Sequence, residues 1–356
     1  MYLKFRNKKI TGILSILPSK EVDFYDEISN YNFTEKQTLK LGKIMGYGKR
    51  RIISKGTTVS DLCEFGMNYL FDKNYLNKDS FNALILCTQC PDQFIPPTSN
   101  IISGRLKLND EIICLDINQG CAGFEVGLLQ SFMLLNTGSI EKVVLLNADI
   151  LSSKVSEKDR NSRPLVGDGA TITIIENSKT DEEIDVYINM DGRGALSLQI
   201  PAGGFKMPST EITKQLKEDK AGNIRSLDHL IMKGDDVFNF VQTKVPEMFE
   251  KMLLNSKINK SFFDYFFFHQ PNRFMLEKLA DKMSIPYEKM PNNICEKYGN
   301  GSNITVPLNI CENLGHLALN NSYNVCLGGF GVGLTWSLIK CKIENLQFCE
   351  IINYNI

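Results

Sequence analysis

Asp116-Ile117-Asn118-Gln119-Gly120-Cys121-Ala122-Gly123-Phe124 carries the chain from an apolar run, Ile112-Ile113-Cys114-Leu115, into a segment of small and apolar residues. The run is short and continuous, as a buried strand requires, and the segment after it reads as a helix. Cys121 therefore falls at a helix start. Backbone N–H groups and the helix dipole favour a thiolate there, and small neighbours let a substrate approach. The chain holds ten cysteines, and a free cysteine is commonly a small buried hydrophobe. Local context leaves nucleophile and core filler level.

Outward from this stretch, Ala83-Leu84-Ile85-Leu86 and Val143-Val144-Leu145-Leu146 are further buried-strand runs, the first followed by a Pro-rich loop and a helix from Thr98. Strands alternating with helices predict an α/β fold with largely buried sheets. The same order recurs further on. Tyr265-Phe266-Phe267-Phe268 leads into His269-Gln270-Pro271-Asn272 and a helix through Met283; Tyr298-Gly299-Asn300-Gly301-Ser302 opens another helix, and the strand Asn324-Val325-Cys326-Leu327 follows. Laying Gly120-Cys121 on Gly299-Asn300 aligns the helices and strands that follow. The chain thus reads as a duplicated architecture, with halves over 1–175 and 176–356 and a cap-like insertion near 150–230. Two halves meeting face to face would bring Cys121 near His269 and Asn300.

Bulk composition agrees with a protein of two such units. At 356 residues the chain exceeds one ordinary core, and 43% hydrophobic with 23% charged residues is globular. Forty basic against 41 acidic residues leave a net charge of −1, which argues against nucleic acid or an anionic membrane as partner. No apolar run reaches membrane-spanning length. The stretch Ile10 to Leu17 is too short for a secretory core and reads as a first strand. Scattered cysteines fit reduced thiols, so a cytoplasmic location is expected. Cys87-Thr88-Gln89-Cys90 has CxxC spacing, but no second CxxC or His pair accompanies it, so no metal and no cofactor are expected.

Three histidines occur. His269 ends an apolar strand, where α/β proteins bind ligands, whereas His229 and His316 read as packed or surface residues of helices.

Cys121-Ala122-Gly123-Phe124, Gly167-Asp168-Gly169-Ala170, His269-Gln270-Pro271-Asn272, Tyr298-Gly299-Asn300-Gly301-Ser302 and Gly329-Phe330-Gly331-Val332-Gly333-Leu334-Thr335-Trp336 occur in this order. Together they resemble the ketoacyl-acyl-carrier-protein synthase III branch of the thiolase superfamily. The resemblance implies two duplicated βαβα halves packed as a five-layer α-β-α-β-α sandwich, and a homodimer joined through the N-terminal half's sheet. It implies an acyltransferase of fatty-acid-type biosynthesis. Cys121 would take an acyl group from a thioester, and a malonyl-carrier protein (or malonyl-coenzyme A) would then condense with loss of carbon dioxide to a 3-oxoacyl thioester. His269 and Asn300 would donate to the enolate, and the backbone N–H groups of Cys121 and Val332 would form the oxyanion hole. Family members carry Gly where Val332 stands, so a less permissive turn and a narrower pocket are expected. Asp168 is expected to serve the turn rather than the reaction.

The partners implied are acyl-carrier-protein or coenzyme A thioesters. Arg160 matches a family arginine, but two others fall on Ile44 and Phe274, which favours the carrier protein in both steps. Arg273, Lys278 and Lys282 lie on the helix after His269, and the last two share a face that could meet an acidic carrier. Three alternatives are weighed against this reading. They are a thiolase using Cys326 as a second cysteine, an acyltransferase passing the Cys121-bound group to an amine or hydroxyl, and a non-catalytic partner subunit of the same fold.

Overall fold

The computed structural model describes residues 1–355 and is built on two mixed sheets. One has six strands in the order Phe348–Tyr354, Lys8–Pro18, Gly169–Asn177, Lys142–Asp149, Ala83–Cys87 and Ile113–Ile117. The other has five, in the order Tyr2–Arg6, Glu183–Met190, Thr335–Glu344, Ser322–Gly331 and Tyr265–Phe268. From Lys8–Pro18 the first sheet runs antiparallel, antiparallel, parallel. From Glu183–Met190 the second does the same. The repeated order anticipated from sequence is therefore a repeated pairing. Each sheet also takes one edge strand from the far end of the chain. Tyr2–Arg6 pairs with Glu183–Met190, and Phe348–Tyr354 pairs with Lys8–Pro18.

Two helices, Gly123–Leu135 and Thr305–Asn313, lie between the sheets and share one buried cluster, in which Phe124, Leu128 and Phe132 join Val306, Ile310 and strand residues of both sheets. Small residues in the first helix permit this depth. A Cβ at Gly127 would lie 2.5 Å from Leu145, and one at Gly123 would lie 2.9 Å from Asn303. Val59–Asp72 and Thr98–Leu106 cover the outer face of the six-stranded sheet. Gly234–Ser256 and Arg273–Met283 cover the outer face of the other. The layers run α-β-α-β-α. Helices on both sides explain why Ala83–Cys87 is buried at every position and reads as an unbroken apolar run.

Two expectations need correction. His229 does not sit in a helix but in a bend, where its Nδ1 accepts the Ser226 N–H at 3.0 Å. That local bond gives the backbone an alternative to the helical ladder. His316 lies in a single exposed 3-10 turn, Gly315–Leu319. Among the described residues no helix is long and apolar enough to cross a membrane.

Candidate active site

Cys121 follows the edge strand Ile113–Ile117 and precedes the central helix, whose N-cap is Ala122. It is half-buried. The backbone N–H groups of Cys121 and Val332 both bear on its sulfur and favour the thiolate, yet burial outweighs them and pushes the thiol above its ordinary value. Helix-start placement alone therefore does not keep Cys121 ionised, contrary to the simple dipole expectation. Desolvation of a small charged atom is the larger effect.

The glycine-rich turn closes over this sulfur. A Cβ at Gly331 would lie 2.6 Å from both Cβ and Sγ of Cys121, so only glycine fits. Val332 is accommodated by a complementary glycine: a Cβ at Gly120 would lie 2.7 Å from the Val332 side chain. Gln119 Nε2 donates to the Val332 carbonyl at 3.4 Å, holding the turn in which the N–H of Val332 faces the cysteine.

His269 leaves the end of Tyr265–Phe268 with its N–H bonded to the Gly328 carbonyl at 2.7 Å. It is only 2% exposed, and burial pushes its imidazole down to about 3. The ring is neutral at physiological pH. Its Nδ1 lies 2.7 Å from the Thr305 hydroxyl, which also accepts the Gln270 N–H at 3.3 Å. The rest of this motif is scaffolding. Gln270 Nε2 donates to the Phe268 and Pro291 carbonyls at 2.9 and 3.0 Å, and Asn272 Oδ1 caps the following helix at Met275 N–H, 2.8 Å away.

Asn300 is held by its backbone. Its N–H donates to the Leu165 carbonyl at 2.7 Å and its carbonyl accepts from Gly167 at 3.1 Å. The close approach needs glycine on both sides: a Cβ at Gly167 would lie 2.4 Å from the Tyr298 carbonyl, and Gly299 has φ +83°. The side-chain Oδ1 accepts the Ser302 N–H at 2.9 Å, which turns the amide NH₂ to the other side. Asp168 is fully tied up by the Ile53 N–H, the Ser152 N–H and the Ser152 hydroxyl.

Cys121, His269 and Asn300 all line one cavity of about 340 Å³, walled by Phe238, Phe274 and Met275. A second cavity of about 310 Å³, lined by Gln89, Asn118, Ile200 and Val332, also reaches Cys121 and Asn300. Segment 150–233 contributes Leu165, Leu198 and Met232 to both. Cys326 faces the outer helix layer with Phe266 and Phe268, away from these cavities.

None of Arg160, Arg273, Lys278 and Lys282 lines either cavity. The Arg160 guanidinium stacks 3.2 Å over the Phe33 ring, Arg273 pairs with Glu296, and Lys278 lies 3.5 Å from Asp281. Lys282 is exposed on the same helix as Arg273 and Lys278. Sequence reasoning does not single out Thr305, Ser302 or Asn303. Asn303 Nδ2 donates to the Cys87 carbonyl at 3.0 Å, tying the Asn300 loop to the other sheet. Their shared signal is a run of polar residues opening a helix that proves buried.

This architecture and this site define a thiolase-fold protein, and the comparisons agree. A solved 3-oxoacyl-(acyl-carrier protein) synthase from Burkholderia xenovorans superposes with TM-score 0.91 at 31% identity, covering 99% of each chain. A second solved structure, a 3-oxoacyl-(acyl-carrier-protein) synthase III, gives TM-score 0.86 at 32% identity, covering 95% of this chain and 99% of that one. A Campylobacter jejuni protein provisionally named 3-oxoacyl-(acyl-carrier-protein) synthase 3 is 31% identical over 356 residues, covering 99% of both. A Clostridium tetani beta-ketoacyl-(acyl-carrier-protein) synthase III is 32% identical, covering 83% of this chain and 87% of the relative. The two family profiles of 3-oxoacyl-(acyl-carrier-protein) synthase III match residues 115–192 and, for its C-terminal part, 253–343. The chain belongs to the 3-oxoacyl-(acyl-carrier-protein) synthase III family.

Proposed function

We propose that this protein is a decarboxylating condensing enzyme that transfers an acyl group from a thioester to Cys121 and then joins it to a malonyl thioester, giving a 3-oxoacyl thioester. In the first step the Cys121 sulfur attacks the thioester carbon, and the N–H groups of Cys121 and Val332 receive the developing oxyanion. In the second, loss of carbon dioxide leaves a thioester enolate. Neutral His269 and the NH₂ of Asn300 donate to that oxygen, and the resulting carbanion attacks the acyl-Cys121 carbonyl.

One observation carries this reading. Among the side chains that share the cavity with Cys121 are the Asn300 amide and the His269 imidazole, the latter kept neutral by burial. Such a pair stabilises an enolate but is a poor base. The outward-facing Cys326 argues against a two-cysteine thiolase. No feature of the cavity favours an amine or hydroxyl acceptor, and a partner subunit without catalysis would not need this trio.

The cavity that opens past Phe238 and Phe274 would admit the carrier arm. Lys278, whose ammonium lies 6.0 Å from the ring centroid of Phe274, and Lys282 on the same helix would meet an acidic acyl-carrier protein, with Arg160 and Arg273 as further basic groups. The edge strand Ile113–Ile117, where Ile113 is 42% exposed, suits pairing with a second copy in a homodimer. The protein would act in the cytoplasm on fatty-acid-type chains.

Intact mass of the protein after incubation with acyl-coenzyme A or acyl-carrier-protein donors tests the first step. A mass increase equal to the acyl group, absent in Cys121→Ala, is expected. No adduct, or one that survives the substitution, overturns the assignment.

A further inference from the structure

Beside Cys121 lies a buried carboxyl that the steps above leave without a task. Asp149 ends the central strand Lys142–Asp149 and is fully buried. Its Oδ1 accepts the Gln89 N–H at 2.7 Å and the Thr88 hydroxyl at 3.3 Å. Among the described residues its Oδ2 has no hydrogen-bond partner. A second orphan lies next to it, the buried hydroxyl of Ser302, which makes no closed hydrogen bond at rest. That hydroxyl bears on two groups, the Cys121 thiol and the Asp149 carboxyl. Two unsatisfied buried polar atoms side by side are expensive, and Ser302 and Cys121 line the same cavity of about 310 Å³.

The backbone around Ser302 also holds it there. Ser302 is a non-glycine residue at φ +59°, a conformation that costs free energy and clusters at functional sites. Its N–H is fixed by Asn300 Oδ1 at 2.9 Å and its carbonyl by the Thr305 hydroxyl at 3.0 Å. The backbone that carries the hydroxyl is thereby fixed from both sides, beside Cys121 and Asp149.

Resting on the proposed condensing activity, we propose that Asp149 accepts, through the Ser302 hydroxyl, the proton that Cys121 releases on acylation. The bond from Cys121 Sγ to the acyl carbon forms as the S–H proton passes to Ser302 Oγ. The Ser302 hydroxyl proton passes to Asp149 Oδ2. The carbon–sulfur bond to the donor then breaks, and the departing thiolate takes the proton back along the same route, so Asp149 is ionised again. No other reagent is needed.

His269 is an unsuitable acceptor in this step because burial disfavours its protonated form. Asp149 is better matched. Burial pushes it up to about 7, close to working pH, where general acid–base groups are most effective. The charge of Asp149 in turn raises the Cys121 thiol, so the titrations of the two groups are linked. Besides Ser302 and Cys121, the titratable groups around Asp149 are the Cys90 and Cys87 thiols, and Asp168 lies beyond Cys90.

Ser302→Gly removes the hydroxyl while suiting the left-handed backbone, so loss of folding does not confuse the result. Asp149→Asn keeps the shape of the carboxyl and removes its charge. Two measurements on each variant decide the matter: the single-turnover rate of acyl transfer to Cys121, and the pH profile of Cys121 alkylation by iodoacetamide, read by peptide mass to exclude Cys90. Both variants are expected to slow acylation at least about tenfold, within the range of a lost general base. Asp149→Asn is further expected to lose the inflection near neutral pH and to shift the thiol inflection downwards. Wild-type acylation rates in Ser302→Gly, or an unchanged alkylation profile in Asp149→Asn, would overturn the proposal. If the native protein accepts no acyl group, the functional reading falls instead, and the alkylation profile still reports on the coupling.

Discussion

Thr305 sits one turn beyond Asn300, and its hydroxyl lies 2.7 Å from Nδ1 of His269, joining the strand-end histidine to the helix that opens from the Asn300 loop. The Gln270 N–H occupies one lone pair of that oxygen. The hydroxyl also donates to the Ser302 carbonyl at 3.0 Å, so its contact with Nδ1 fixes the orientation of the imidazole in the cavity that His269 lines.

Thr305→Val keeps the volume and deletes this orientation. Decarboxylation of malonyl thioester by pre-acylated protein is expected to fall by about 10²-fold, the loss typical of a misaligned oxyanion donor. Acylation of Cys121 should change little. An equal loss in both steps, measured by carbon dioxide release and by adduct mass, would show that Thr305 only supports the fold.

Asn300→Ala removes the donor that the proposed condensation uses only after acylation. The adduct on Cys121 should still form, while decarboxylation falls by about 10²–10³-fold. Single-turnover measurements separate the two steps, and parallel loss would sink the assigned role.

Gly331→Ala places a methyl group where only 2.6 Å separates it from the Cys121 sulfur. The sulfur must move, and displacement of a nucleophile by ~1 Å costs on the order of 10²-fold in rate. Acylation kinetics test this, with circular dichroism to show that the sheets remain.

Glu125 is fully buried in the central helix, and neither carboxyl oxygen has a partner among the described residues. Burial raises it from 4.5 to about 8. The folded state therefore holds a proton that the unfolded chain has released above 4.5. The sign follows from linkage: this stability is complete below 4.5 and is lost as pH rises through about 8. Glu125→Gln, always neutral, should flatten the fall of the thermal midpoint between pH 4.5 and about 8. His269 works in the opposite direction. Its folded value, near 3, lies below the ordinary 6.5, so its contribution is complete above 6.5 and lost as pH falls towards 3. An identical slope in the Glu125→Gln variant would show that Glu125 is not the titrating group.

Much of the fold was legible locally. Ala83–Cys87, Lys142–Asp149 and Tyr265–Phe268 are apolar because helices cover both faces of their sheets, and such runs announce themselves without knowledge of their neighbours. The bend at His229 was not legible, because a serine–histidine contact three residues apart displaces the helical ladder and leaves no periodic trace. The edge strands Tyr2–Arg6 and Phe348–Tyr354, exchanged between the ends of the chain, follow from pairings that no local pattern encodes.

Cys121, His269 and Asn300 could be named from sequence because each sits in a short motif whose glycines and strand end dictate local geometry. What the chain alone determined is this trio and the duplicated frame that brings its halves together. The tertiary structure decided the state of these groups. Burial raises Cys121 against its helix and lowers His269 to neutrality, and it leaves Asp149 and Ser302 unsatisfied beside Cys121. Desolvation depends on every atom packed around a group, and those atoms come from segments far apart in the chain.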